Sequence, residues 1–315
     1  MKNYKIFEDY EIEDLGVVEE YVYDIEVEGN HNFFGNDILV HNSLYLNIDP
    51  LVKKFCKDMP LEKRVDVMDK FADEKIEKEL EKCLEDLKEY VQARLQKMVA
   101  KRENIASGAI WTAKKRYCML VHDSEKVRYE VPKLKITGLD AVRSSTPDYV
   151  RPHMIETMRL ILTNETNAKP SQNYVQKFKD EYFNAPLTNI GMPKSMNNMN
   201  NFFDLNEPTW SRKGCPAQTH GAIVYNHMID KLNLVQYNPI QEGSKAYYIY
   251  MKKPNRCNNT HVLSFDDEIP EEFQVNDRID KELMFDKAFI KPMEPLFKAS
   301  GWEIEKKASL DSLFE

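Results

Sequence analysis

"GNDILVHNSLYLNIDP", residues 35–50, sets His41-Asn42-Ser43 between two short apolar runs. Ile38 and Val40 before it, and Leu44, Leu46 and Ile48 after it, recur at period two and favour extended chain on both sides. Asn and Ser are turn formers, so a tight turn is one reading of Asn42-Ser43. The same three residues place a proton donor, a side-chain amide and a hydroxyl nucleophile in consecutive positions, which is the chemistry for cutting a chain. The charge changes at this point too. Residues 1–42 carry two lysines and eleven acids, a net of −9, so the rest of the chain is left near +1 of the total of −8. Two different proteins read as joined near Asn42.

A chain of 315 residues has room for about two domains, and 42% hydrophobic with 30% charged residues is an ordinary globular composition. No apolar run approaches the roughly 20 residues that span a bilayer, and the charged start is unlike a signal peptide. Five scattered cysteines, Cys56, Cys83, Cys118, Cys215 and Cys257, form no paired spacing, and an odd count argues against a disulfide framework. A reduced cytoplasm is the expected location.

Residues 3–7 and 16–28 read as strands, so positions 1–42 form a small acidic β piece, too short to bury a core without a partner. A further strand is expected at 43–49. Residues 60–100 read as helical, with Ile76, Leu80, Leu84, Leu87, Val91, Leu95 and Met98 as one apolar stripe. "IWTAKKRYCMLVHDSEKVRYEVPKLKI" (110–136) reads as a two-strand hairpin turning at 122–126. From Pro147 the chain is mostly helical, with "AYYIYM" (246–251) and "THVLSF" (260–265) as β additions and a last helix near 278–298. Cys215 and His220 lack the further ligands of a zinc site and read as a core cysteine and a surface histidine.

Asn42 can attack its own backbone carbonyl through its side-chain amide, cutting the chain before Ser43. His41 is placed to assist by protonating the leaving amine, and Ser43 can accept an acyl group first. On the turn alone, a surface turn and a cleavage site both stand. "VYDIEVEGNHNFFGNDILVHN" (22–42) adds Asp24, His31 and Phe33 at fixed spacing from His41-Asn42. This block resembles the C-terminal splicing block of inteins. The resemblance implies that Asp24 and His31 support the acyl shifts, His41 assists cyclisation, Asn42 cyclises and Ser43 accepts the acyl group. The junction comes as early as Asn42, so the piece before it looks like the C-terminal half of a split intein, able to splice only in trans. Its acidity suits capture of a basic partner half.

From Ser43 onward the chain resembles the C-terminal part of a family B DNA polymerase of the T-even phage type. "SLYLNID" is similar to the stretch just after the paired aspartates of the palm, which would leave those aspartates on another chain. "WTAKKRY" resembles the Lys-Lys-Arg-Tyr motif that touches duplex DNA, which marks Lys114, Lys115, Arg116 and Tyr117. "KLKITGLDAVRSSTP" resembles the passage from palm to thumb, and "KASLDSLFE" the clamp-binding tail, with Leu310, Leu313 and Phe314 as its anchors. Read without that resemblance, Lys114 and Arg116 face one side of a strand and Lys115 and Tyr117 the other. Lys126, Arg128, Lys133 and Lys135 extend the positive surface, which suits phosphate contacts, and a solvated strand edge is the plain alternative. The tail equally reads as a helix end folded onto the core.

The expectation is an α+β chain: a small all-β fragment of the intein type at 1–42, palm-end strands and helices at 43–138, and a mostly helical thumb at 139–315. The implied function is a trans-splicing precursor of a DNA-directed DNA polymerase, inactive alone. Its expected partners are an upstream fragment with the intein's N-terminal half, primer-template DNA and a sliding clamp, with no membrane. Splicing needs no cofactor, and Mg2+ would be bound mainly by the missing fragment. The alternatives are a non-splicing subunit of a two-chain polymerase, or a plain DNA- and clamp-binding module.

Overall fold

The computed structural model describes residues 45–164 and 166–305, together with the backbone of 32–35 and 38–41. The strands expected at 3–7 and 16–28 lie outside the described residues. The chain divides into two compact units. One comprises the described residues up to Ile105 with Asp123–Arg128, and the other comprises Ala106–His122 and Tyr129 onward.

In the first unit, β1 (Asn32–Gly35) and β2 (Ile38–His41) pair antiparallel, with Asn32 opposite His41. Three helices come next: α1 (Asp49–Phe55), α2 (Leu61–Phe71) and α3 (Glu77–Tyr90), the last two continuous through a π-helical turn, Ala72–Ile76. The strand expected at 43–49 is not formed over residues 45–48, and the chain is helical from Asp49. Pro50 explains the change, since a proline in the first turn lacks only an N–H that would have no partner there. The helix expected to Ala100 stops at Tyr90, and Gln92 turns left-handed at φ +52°. Val91 and Leu95, members of the predicted apolar stripe, are 50% and 65% exposed, so the last turns had nothing to bury against.

The first unit buries Cys56, Val65, Met68, Ala72 and Leu84, and beyond these it is tied by charge. Arg102, 8% exposed at its side chain, contacts Asp123, which is 1% exposed, and Asp69 at 2.5 Å. The Arg102 backbone N–H donates to Glu77 Oε1 at 2.8 Å. Lys126 reaches Asp69 at 3.0 Å and also contacts Asp73, while Arg128 meets Asp66 at 2.7 Å and Asp123 at 3.1 Å. Lys126 and Arg128 are therefore neutralised by α2, the π turn and their own hairpin, and do not extend an open positive surface.

A three-stranded sheet runs in the order β3 (Asn104–Ala113), β4 (Arg116–Ser124), β5 (Val127–Thr137), and the second unit takes its residues 106–122 and those from Tyr129 on. Two-residue turns join consecutive strands, which makes the pairs antiparallel. The predicted hairpin is thus a meander with an additional turn at Lys114-Lys115. Cys118 to Val121 of β4 are buried, and burial pushes the Cys118 thiol up to about 12.

Helices then dominate: α4 (Arg151–Thr163), α5 (Lys169–Asn184), α6 (Leu187–Ile190), α7 (Met199–Phe202) and α8 (Ala217–Lys231). A second antiparallel sheet runs β6 (Met192–Ser195), β7 (Lys245–Tyr250), β8 (Val262–Phe265), with Met192 opposite Tyr248 and Tyr248 opposite Ser264. Gly221 brings α8 onto β8, since a Cβ there would sit 2.7 Å from the Ser264 backbone N. α9 (Lys281–Phe285) and α10 (Lys291–Ala299) close the unit as one nearly continuous helix, as expected near 278–298. Its core is aromatic and methionine-rich. Phe178 lies 5.0 Å from Phe289 and 5.6 Å from Phe285, and Met154, Met158, Met284 and Met293 are buried around it. The mixed α+β expectation holds at this level. His220 is a correction: it is 9% exposed, not a surface residue, and a 2.8 Å hydrogen bond joins its Nδ1 to Ser211 Oγ.

Candidate nucleic-acid interface

Of the residues singled out for chemistry, Asp24, His31, Asn42 and Ser43 lie outside the described residues, as do Leu310, Leu313 and Phe314. His41 is described only as the end of β2. Lys114, Lys115, Arg116 and Tyr117 are in the second unit, and their placement differs from the strand reading. Lys114 and Lys115 form the turn between β3 and β4, both exposed, with Lys115 left-handed at φ +60°. A turn points both ammonium groups outward from one place, whereas a strand would have sent neighbours to opposite faces.

Arg116 and Tyr117 begin β4 and are half-buried. Tyr117 packs with its ring 6.4 Å from Trp111 of β3, and the Thr112 hydroxyl donates to the Arg116 carbonyl at 3.3 Å. Arg116 Nη2 meets Asp140 Oδ2 at 3.0 Å, and Arg143 Nη1 meets the other carboxylate oxygen at 3.1 Å. Among the described residues neither Lys114 nor Lys115 has such a carboxylate partner, and the two arginines share one acid, so the segment is net positive.

Gly138, at φ +63°, lies directly under the turn, and a Cβ on it would stand 2.2 Å from the Lys115 carbonyl oxygen. Arg143 Nη2 donates to the Gly138 carbonyl at 3.2 Å, and the Thr146 hydroxyl donates to the Asp140 carbonyl at 2.7 Å. Leu139 and Ala141, on either side of Asp140, are 2% and 3% exposed, which anchors the segment in the core. Sequence reasoning missed Gly138, Asp140 and Arg143 as part of this site. The signal was present in "TGLDAVR", where a glycine opens a turn and an acid precedes an arginine at helical spacing.

Such a turn can grip phosphates without reading bases, because ammonium groups offer charge and donors but no fixed fork. A metal is a different matter. Among the described residues there is no group of three or more His, Cys, Asp or Glu placed to hold a metal ion, and no metal-dependent step is assigned to them. Among them, too, no helix is long and apolar enough to cross a membrane.

Residues 66–300, well over half of the chain, match the family model for DNA polymerase family B, and the chain belongs to that family. It is 29% identical over 286 residues to the DNA-directed DNA polymerase of Enterobacteria phage T4. With that of Escherichia phage RB69 it shares 30% over 292 residues. Each match takes in 87% of this chain but 31% of the relative, so the chain spans about a third of the length of these polymerases.

Proposed function

We propose that this chain is the thumb-bearing part of a phage-type DNA-directed DNA polymerase, made as a precursor that is joined to an upstream fragment by protein trans-splicing. Membership of family B together with an exposed two-lysine turn supports the DNA-binding half of the reading. The splicing half rests on the block ending in His41-Asn42 and on the acidity confined to residues 1–42. It is supported too by a match to the phage polymerases that covers 87% of the chain, leaving a remainder close in size to that piece.

In this reading Ser43 Oγ attacks the upstream acyl group, carried as an ester or thioester on the first residue of the intein's N-terminal half; that bond breaks, its oxygen or sulfur leaves with the Ser43 proton, and the acyl group is held on Ser43 as an ester. The Asn42 side-chain nitrogen then attacks its own carbonyl carbon, the bond to the Ser43 nitrogen breaks, and His41 delivers a proton to that amine. The freed amine attacks the ester and forms the new peptide bond. Lys114 and Lys115 bind the primer-template backbone, Tyr117 lines the same strand, and Leu310, Leu313 and Phe314 tether a sliding clamp. Mg2+ would be held mainly by residues of the upstream fragment.

Mixing the chain with the upstream fragment and resolving the products on a denaturing gel tests the splicing half. A ligated product is expected from the wild type, and Asn42→Ala should accumulate a branched ester. If a stable complex forms and no ligation occurs, the chain is a subunit of a permanently two-chain polymerase.

A further inference from the structure

We propose that Asp140 is the positioning residue of the Lys114-Lys115 turn: it fixes the two lysines in place through Arg116 without touching the nucleic acid. The proposal rests on the DNA-interface reading above.

Three observations converge on it. One carboxylate receives two guanidinium groups on its two oxygens, Arg116 at 3.0 Å and Arg143 at 3.1 Å. Arg116 immediately follows the turn, so holding its side chain fixes the direction in which the chain leaves the turn. The Asp140 backbone is itself tied, accepting the Thr146 hydroxyl at 2.7 Å and the Arg143 N–H at 3.0 Å. From below, Gly138 admits the Lys115 carbonyl so closely that no side chain fits between them. The turn is thus pinned at its exit and its underside by one short segment, Gly138 to Ala141, whose Leu139 and Ala141 are core residues.

The chemistry makes this more than a surface ion pair. Arg116 and Arg143 share the single negative charge of Asp140, so the trio keeps a net charge of +1 while both guanidinium groups are turned to the carboxylate. An acid beside a phosphate-binding turn is otherwise a liability, because its field repels the ligand. Two accounts of Asp140 therefore predict opposite signs. If it is merely an acid in a basic patch, removing its charge strengthens binding and steepens the salt dependence by about 0.9 per phosphate gained. If it positions the turn, removing it weakens binding.

The test uses the full 315-residue chain and a fluorescein-labelled duplex with a recessed 3′ end, in two unrelated sequences, titrated across a salt series. For Asp140→Asn we expect binding about ten-fold weaker, the scale of losing one charge-assisted hydrogen bond, with a slope no steeper than wild type. Asp140→Glu should recover part of the loss. Arg116→Gln should weaken binding to a similar degree at an unchanged slope, and the double variant should be no worse than either single, as expected for residues that act as one unit. Equal or tighter binding by Asp140→Asn overturns the proposal. So does a slope lower by about 0.9 in Arg116→Gln, which would make Arg116 a direct phosphate contact. Arg116→Gln carries the test alone if Asp140→Asn fails to melt cooperatively. The lysines separate the two levels: Lys114→Ala with Lys115→Ala should flatten the slope by about two ions. If that variant keeps the wild-type slope, the DNA reading falls and Asp140 falls with it. If it flattens while Asp140→Asn binds as wild type, the positioning role alone is wrong.

Discussion

Around Asp123 the first unit sets three cations against four carboxylates, while around Phe178 the second unit sets rings and thioethers against one another. The first buries few apolar side chains and leaves Phe55, Tyr90, Leu95 and Val99 largely exposed. The difference shows two ways of holding helices. Apolar packing is non-directional and takes a pH dependence only from an ionisable ring within it, whereas an ion network fixes geometry but loses its support when one partner changes protonation or is removed.

The largest break in this comparison should come from the second unit. Phe178 is 1% exposed and touches rings from α4, α5 and the closing helix. Phe178→Ala should lower the unfolding free energy of that unit by about 3–5 kcal/mol, read from denaturant melts. Hydrogen exchange in α2 and α3 should stay as in the wild type.

Asp123→Ala should act the other way round. It strips Arg102 and Arg128 of a shared, buried partner and leaves Asp69 as the remaining acid on Arg102. A cost of about 3 kcal/mol is expected, confined to amide protection at 61–90 and at the hairpin tip. Exchange around Phe178 should not change.

Acid should separate the units by pH, with a smaller effect. His153 stacks on Phe178 at 3.8 Å, and burial, opposed by Glu181 and aided by Lys177, holds it below its ordinary 6.5. The unfolded chain therefore takes up that proton first, and the second unit should begin to weaken as pH falls below 6.5. In the first unit, burial tends to raise Asp69, but hydrogen bonds from Lys126 and Arg102 outweigh it and lower it below 3.8. Its contribution is complete above 3.8 and is lost only as pH falls through the lower folded value. Exchange followed from pH 7 to pH 3 should thus open α4 and α5 before α2, and His153→Phe should remove that order. Simultaneous opening would mean that the ion network, not the histidine, sets the acid limit of both units.

The legible part of this molecule was whatever a period could reveal. The helix over 61–90, the strands at 246–250 and 262–265 and the closing helix follow from apolar spacing that matches their burial. The short strand β6 did not show, because a segment as brief as Met-Pro-Lys-Ser carries no period and gains its identity from pairing with β7. The overlong helix had an apolar stripe but no partner for it. At the candidate site Lys114, Lys115, Arg116 and Tyr117 were legible by residue type, and their backbone was not. Strand alternation cannot reveal a two-residue turn whose second member is left-handed, because the glycine that makes it possible, Gly138, lies beyond the whole of β4 and β5. Lys126 and Arg128 looked free for the same reason: their acids, Asp66, Asp69 and Asp73, are remote in sequence.

Gly138 also has a genetic consequence. Every amino-acid replacement at that codon adds at least a Cβ, and the space it would enter is already filled by a backbone oxygen that no rotamer change can move. After selection for the function of the joined protein, a saturation library of this gene should therefore be depleted at position 138, while the exposed Ser144 and Ser145 accept almost anything. Such a depleted column would mark the turn from sequencing reads alone, without a binding assay and without a structure.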